Sequence, residues 1–171
     1  ISYPNAKINL GLNVLSRRQD GYHNITSFFL PIPLCDILEF NLNSSCSNKT
    51  QITYSGITFP NIERDLVLQA YDLLDNDFNL PAIKIHLHKC IPVAAGLGGG
   101  SSNAVFMLKM LNQFFKLNLN KTALLKYAMT LGSDCSFFLY NSFSQVSGVG
   151  QYIKELDFSL KDYYILLVKP N

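Results

Sequence analysis

Hydrophobic positions along this chain switch between two spacings, and the switches mark its elements. From Lys7 onward, Ile8, Leu10, Leu12 and Val14 alternate with Lys7, Asn9, Gly11 and Asn13, a period of two that predicts a strand with one apolar and one polar face. Lys7 and Asn9 then project to the same side. Arg17 to His23 reads as a charged loop turning at Asp20-Gly21. An apolar stretch to Leu34 and an alternation through Leu38, Phe40 and Leu42 follow, so the first third is rich in strand. The Asn/Ser-rich stretch Asn41 to Lys49 reads as an exposed turn region. The spacing lengthens at Leu66, Ala70, Leu73 and Leu74, as on an amphipathic helix. It returns to two at Ile83, Ile85 and Leu87, set between Lys84, His86 and His88, and lengthens again at Ala104, Leu108, Leu111 and Phe115. A further helix begins near Asn120 and stops at Gly132, and Tyr163 to Val168 reads as a buried strand. The order is strands, helix, strand, loop, two helices, and strands again. It lacks the regular βα alternation of a doubly wound sheet, so the fold class is α+β with a mixed or antiparallel sheet packed on helices.

Composition narrows the partners more than the fold. With 171 residues, 48% of them hydrophobic, the chain suits one domain with an ample core. Fourteen basic against twelve acidic residues leave no electrostatic footprint for nucleic acid or an anionic membrane, which points to a small-molecule substrate. No apolar run approaches the length of a membrane helix. Cys35, Cys46, Cys90 and Cys135 form no C-x-x-C pair, and no signal peptide precedes them. Reduced thiols in a cytoplasmic protein are therefore expected, rather than disulfides or zinc. Nothing here sets an oligomeric state. A chain that stops at Pro170 and Asn171, just beyond an expected buried strand, is expected to continue in its intact gene product.

The chemistry concentrates between the strand ending at Lys89 and the helix through Leu108, where residues 95–104 read Ala-Gly-Leu-Gly-Gly-Gly-Ser-Ser-Asn-Ala. Four of the ten glycines, Gly96, Gly98, Gly99 and Gly100, fall within five positions and free the backbone for positive φ. Ser101 and Ser102 are expected to cap the helix. A helix N-terminus carries unsatisfied N–H donors and roughly half a positive charge, so phosphate oxygens are the natural ligand and serine hydroxyls add donors or a magnesium ligand. The P-loop pattern is excluded, because Gly100 and not a lysine precedes Ser101. The dinucleotide fingerprint is excluded too. Ser101 stands where its last glycine belongs, and no acidic residue follows about twenty positions on.

Taken together, Ala6-Lys7-Ile8-Asn9-Leu10, Arg18-Gln19-Asp20-Gly21-Tyr22-His23, Ile91-Pro92 running into Gly96 to Asn103, and Leu131-Gly132-Ser133-Asp134 followed by Phe137-Phe138 resemble the GHMP kinases. The Asp-Gly-Tyr-His segment resembles the branch whose acceptor is a cytidyl methylerythritol. The resemblance implies an N-terminal domain over residues 1–171 with the fold shared by a small-subunit ribosomal protein (its domain 2), and a C-terminal GHMP domain missing from this chain. It also implies transfer of the γ-phosphoryl of ATP, with Mg2+, to the 2-hydroxyl of that acceptor in the non-mevalonate route to isoprenoid precursors.

By the same resemblance Lys7 and Asp134 are catalytic, with Asp134 receiving the hydroxyl proton and Lys7 holding the carboxylate ionised. Read from the residues alone, Asp134 is better taken as a helix N-cap, and Lys7 is open to being an exposed strand lysine. The resemblance assigns Pro92, Gly96, Leu97, Gly98, Gly99, Gly100, Ser101, Ser102 and Asn103 to ATP, with Ser102 also the magnesium ligand. It assigns Asn9, Tyr22 and His23 to the acceptor. Three positions depart from the pattern. Ala94 stands for a frequent glycine, Asp65 for an asparagine near the adenine, and Ser136 for a proline. The alternatives are another GHMP small-molecule kinase of homoserine or mevalonate type, or a truncated nucleotide-binding or RNA-binding domain without catalysis.

Overall fold

The computed structural model describes residues 1–19, 21–43, 49–58, 65–160 and 162–169. Asp20 of the first expected turn and residues 44–48 of the Asn/Ser-rich stretch lie outside the described residues, as do Pro170 and Asn171. Strands β1 (Asn5–Arg17) and β2 (His23–Cys35), each of 13 residues, form a long antiparallel ribbon. Strands β6 (Ser144–Gly148) and β7 (Tyr152–Glu155) complete an antiparallel sheet in the order β1-β2-β6-β7. At Asp36 the chain leaves this sheet and enters β3 (Ile37–Leu42), which lies in a second sheet with β4 (Gln51–Gly56) and β5 (Ile83–Lys89), in the order β3-β5-β4. In that sheet β3 runs antiparallel and β4 parallel to β5. A parallel pair needs a crossover, which helix α1 (Leu66–Phe78) supplies. The α+β class, with one antiparallel and one mixed sheet, is the one the sequence implies.

Helices α2 (Gly99–Phe114), α3 (Lys121–Leu131) and α4 (Cys135–Tyr140) fill the space against the sheets. Phe29, Leu38, Leu74, Ile83, Leu108, Leu111, Phe137 and Phe138 are among the side chains removed from water in one continuous core. Each such burial is worth about 1.5–3 kcal/mol. Asn120 caps α3 by accepting from the Ala123 N–H at 2.9 Å, where the sequence places that helix start. Among the described residues no helix is long and apolar enough to cross a membrane.

The structure revises the sequence reading at several places. Helix α2 begins at Gly99 with Gly98 as its N-cap, so Ser101 and Ser102 lie inside the first turn instead of capping it. Gly98 turns the chain into the helix through its own φ of 69° and needs no side-chain cap. A third helix, α4, follows the glycine loop where the sequence suggested two; at six residues it is too short to show a period. Strand β4 also went unread, because its side chains are nearly all exposed and mostly polar. Residues 163–168 are no buried strand. They pair with no strand and are exposed, and Tyr163, Ile165 and Leu167 face an apolar groove of about 640 Å³ beside Leu30, Ile32 and Leu34. An apolar run becomes a strand only when a sheet edge takes its N–H and C=O groups, and no described edge does.

One irregularity in β1 bears on the site. Leu10 pairs with Phe28 but Leu12 with Ser27, so Gly11 is an extra, unpaired residue with φ 74°. A one-residue bulge flips the faces that follow. Leu12 and Val14 therefore leave the side of Ile8 and Leu10 and join that of Lys7 and Asn9, where they are 55% and 60% exposed.

Candidate active site

The segment from Lys89 to Gly98 carries the chain from β5 into α2, and its conformation is set by residues at positive φ. Gly96 (φ 72°) and Gly98 (φ 69°) take it freely, whereas Ala94 takes it at φ 56° with a Cβ attached. For an alanine, left-handed backbone costs about 1–2 kcal/mol. The departure at Ala94 therefore carries strain that glycine would relieve. Gly98 is confined as well as bent: a Cβ there would lie 2.9 Å from Phe138 Cζ and 3.1 Å from Lys7 Cγ. On Gly99 it would meet Ile91 Cγ2 at 3.0 Å and Lys89 Nζ at 3.4 Å. At Gly98 and Gly99 the loop thus passes between two lysine side chains with no room for a Cβ.

No side chain caps α2, so the first-turn N–H groups of Gly99, Gly100 and Ser101 have neither an intrahelical nor a capping partner. They open on a cleft of about 390 Å³ lined by Pro92, Gly96 to Ser101 and Asn103, together with Asp65, Leu66, Leu87 and Lys89. A run of open backbone donors, two of them on glycines, suits phosphate oxygens. Ser102 does not line the cleft. Its side chain is fully buried, and its Oγ, like Asn103 Oδ1, finds no hydrogen-bond partner. Among the described residues no group of three or more His, Cys, Asp or Glu side chains could hold a metal ion.

Beside the loop lies an ion pair. The Lys7 N–H donates to the Leu97 carbonyl at 2.9 Å, docking β1 against the loop. Lys7 is 4% exposed, and its Nζ stands 3.3 Å from Asp134 Oδ2, 2.6 Å from Asn9 Oδ1 and 4.4 Å from the Phe29 ring centroid. It is therefore no exposed strand lysine. Asp134 does occupy the N-cap position of α4, yet its side chain makes no capping hydrogen bond. The carboxylate is left to Lys7 and to the surface. Next to it, burial first and the charge of Asp134 after it push the Cys135 thiol up to about 11, so this cysteine stays protonated. Ser136 is buried in the first turn of α4, where a backbone N–H has no intrahelical partner, so serine in place of proline leaves the helix unchanged.

Sequence reasoning missed three residues that hold this arrangement. Ser27 accepts from Asn9 Nδ2 at 3.0 Å. Asp36, fully buried, pairs with Lys89 and accepts the N–H groups of Cys90 and Ile91 at 2.7 and 2.8 Å. The signal for Lys89 was present: it continues the inward phase of Ile83, Ile85 and Leu87, a place for an apolar residue. Asp65 is explained differently. Its Oδ1 caps α1 through the N–H groups of Val67 and Leu68, and its Oδ2 accepts from the Tyr54 hydroxyl at 2.9 Å. Desolvation, then the Asp65 charge, raises the Tyr54 pKa and keeps that donor protonated.

Tyr22 and His23 are not brought to the ion pair. They sit at the tip of the β1–β2 ribbon, where Arg17 pairs with His23, and Tyr22 is 63% exposed. At about 3.3 Å per residue the strand contour from Lys7 to Arg17 is on the order of 30 Å. Bulges at Leu10/Leu12 and Val14/Ser16 bend the ribbon along the way.

Residues 65–142 match the GHMP kinases N terminal domain. A 4-diphosphocytidyl-2-C-methyl-D-erythritol kinase from Bacteroides thetaiotaomicron is 48% identical over 172 aligned positions, covering 100% of this chain and 63% of that protein. The chain therefore spans less than two thirds of that curated relative's length. A crystal structure of a 4-(cytidine 5'-diphospho)-2C-methyl-D-erythritol kinase superposes with a TM-score of 0.74 at 33% identity, over 91% of this chain and 54% of that one. A mevalonate kinase shares the fold with a TM-score of 0.66 at 14% identity, over 91% of this chain and 55% of that one. The matched segment runs from the cap of α1 past Asp134 and includes the glycine loop. The chain belongs to the GHMP kinases and carries their N-terminal domain.

Proposed function

We propose that residues 1–171 are the ATP-binding domain of a cytoplasmic small-molecule kinase acting on the 2-hydroxyl of 4-diphosphocytidyl-2-C-methyl-D-erythritol. One observation carries the reading: a buried lysine paired with a carboxylate beside an uncapped, glycine-lined helix N-terminus. Phosphoryl transfer asks mainly for positioning and charge, and these residues offer both. ATP supplies the γ-phosphoryl group, and Mg2+ bound with it would screen its charge. The amides of Gly99 to Ser101 hold the phosphates, and Lys89 borders the same cleft. Ser102, the implied magnesium ligand, is fully buried and does not line the cleft, so no metal role is assigned to it.

The acceptor oxygen bonds to the γ-phosphorus as the bond to the β,γ-bridging oxygen breaks, and ADP leaves with that electron pair. Asp134 receives the hydroxyl proton. Lys7 keeps that carboxylate charged and answers the negative charge gathering on the phosphoryl oxygens. Asn9 lies next to the acceptor. Tyr22 and His23 take its cytidine end by stacking and edge hydrogen bonding, which requires the bulged ribbon to bend toward the cleft.

The test is ATP turnover by the intact gene product with and without the cytidyl acceptor, with homoserine and mevalonate as controls. Turnover that ignores the cytidyl compound, or prefers either control, would overturn the assignment. Tyr22→Ala is expected to raise the KM for the cytidyl acceptor far more than that for ATP. Equal rises in both would remove Tyr22 from the acceptor site.

A further inference from the structure

Asn9 is an exposed residue whose amide faces a buried ammonium, and something must choose which end it presents. Lysine has donors only, so the Asn9 atom 2.6 Å from Lys7 Nζ is the carbonyl oxygen Oδ1. The Asn9 NH2 group then needs an acceptor, and Ser27 Oγ lies 3.0 Å from Nδ2. The Ser27 proton goes in turn to the Gly11 carbonyl at 2.6 Å. That carbonyl is available because Gly11 is the bulged residue, skipped by the ladder between Leu10 and Leu12. Every hydrogen bond in the series points one way, from Asn9 to Ser27 to Gly11. A flipped Asn9 would set its NH2 group against the Lys7 ammonium and leave Ser27 without a donor.

We propose that Ser27 is a positioning residue for the Lys7–Asp134 pair, acting through Asn9 and anchored on the Gly11 bulge. It rests on the functional reading above. Ser27 suits the part: it is buried on β2, between β1 and β6, so its hydroxyl is fixed while Asn9 is open to solvent. Without it, Asn9 is free to rotate, and Lys7 keeps only the partly exposed Asp134 and the Phe29 ring. The bulge thereby has a use beyond bending the ribbon. It turns one backbone carbonyl into the end stop of a side-chain series that fixes the catalytic ammonium.

The experiment compares Ser27→Ala, Ser27→Cys and Ser27→Thr in the intact gene product. Cysteine keeps the shape but bonds weakly, and threonine keeps the hydroxyl. Ala and Cys are expected to lower kcat roughly ten- to a hundredfold, the scale of a small misplacement of reacting groups, with the KM for ATP unchanged and Thr restoring the rate. Wild-type kcat in both, a loss that Thr does not restore, or a parallel rise in the KM for ATP would overturn the proposal. Should Ala not fold, the Cys–Thr comparison decides. A second readout needs no turnover: the 1H–13C signal of the Lys7 ε-methylene, displaced by the Phe29 ring, is expected to move toward that of an exposed lysine in Ser27→Cys. An unmoved signal refutes the positioning role. A wild-type protein without kinase activity refutes the functional reading instead, while the Lys7 signal still tests Ser27.

Discussion

Lys7 leaves almost none of its surface in water, and a buried ammonium is tolerated only where its charge and its protons are answered. Asp134, Asn9 and the Phe29 ring answer it. Such a group is built for position more than for stability. In the intact gene product Asp134→Asn, which keeps the shape and removes the charge, is expected to slow phosphoryl transfer roughly a hundredfold or more. ATP binding should be little changed, since Asp134 lies outside the glycine-loop cleft. Steady-state kinetics beside a direct ATP titration separates the two effects, and near-normal kcat would remove Asp134 from catalysis. Ala94 offers a test of the opposite kind. Its left-handed backbone costs about 1–2 kcal/mol, against which glycine loses about 0.4–1 kcal/mol through a freer unfolded chain. Ala94→Gly should therefore leave thermal stability level or slightly higher, and a clear drop in Tm would mean that the methyl group makes a contact worth more than the strain.

At the level of elements, what the sequence disclosed was what repeats. The alternations of β1 and β5 and the helical spacings of α1, α2 and α3 are each carried by several residues against one packed core, so a single exception does not hide them. Strand β4 has no buried face to betray it, and α4 is shorter than two turns. The Tyr163 to Val168 run was misread because composition reports a wish to be buried, not an available partner. The bulge at Gly11 shows the same limit: the sequence alternates evenly through Val14, while the register exchanges the faces at Leu12. Residues that act singly left the weakest trace, and Ser27 and Asp36 look like ordinary strand and turn residues until their hydrogen bonds are seen. The glycine loop was legible, but not the unequal roles of its glycines. Gly98→Ala would both strain the N-cap of α2 and drive a methyl into Phe138 and Lys7, whereas at Gly96 a methyl meets nothing within 4 Å. Gly98→Ala is thus expected to lose ATP affinity at least tenfold more than Gly96→Ala, which bears only the left-handed cost of about 1–2 kcal/mol. Equal losses in a titration with ATP would mean that backbone conformation alone, and not the space beside Lys7, sets the loop.

Across the whole molecule, one carboxylate ties together parts far apart in the chain. Asp36 is the single residue between β2 and β3, where the chain passes from one sheet to the other, and its N–H donates to the Pro4 carbonyl at 2.9 Å. Its side chain holds Lys89 and the amides of Cys90 and Ile91, the start of the segment that becomes the glycine loop. The two sheets and the glycine-loop cleft therefore share a buried ion pair. Asp36→Asn leaves the Lys89 ammonium buried without its counter-charge, a loss of roughly 3–5 kcal/mol. In a domain of this size each kcal/mol moves Tm by about 2–4 °C, so a fall on the order of 10 °C is expected. Lys89→Met should cost less, because Asp36 keeps both backbone donors. In the double variant no unpaired ammonium remains, so its loss should be smaller than the sum of the single losses, with a coupling of about 1–3 kcal/mol. Thermal or urea unfolding of the four proteins gives that number directly. Strict additivity would mean that the two charges do not couple, and that Asp36 holds the loop segment only through its hydrogen bonds to Cys90 and Ile91.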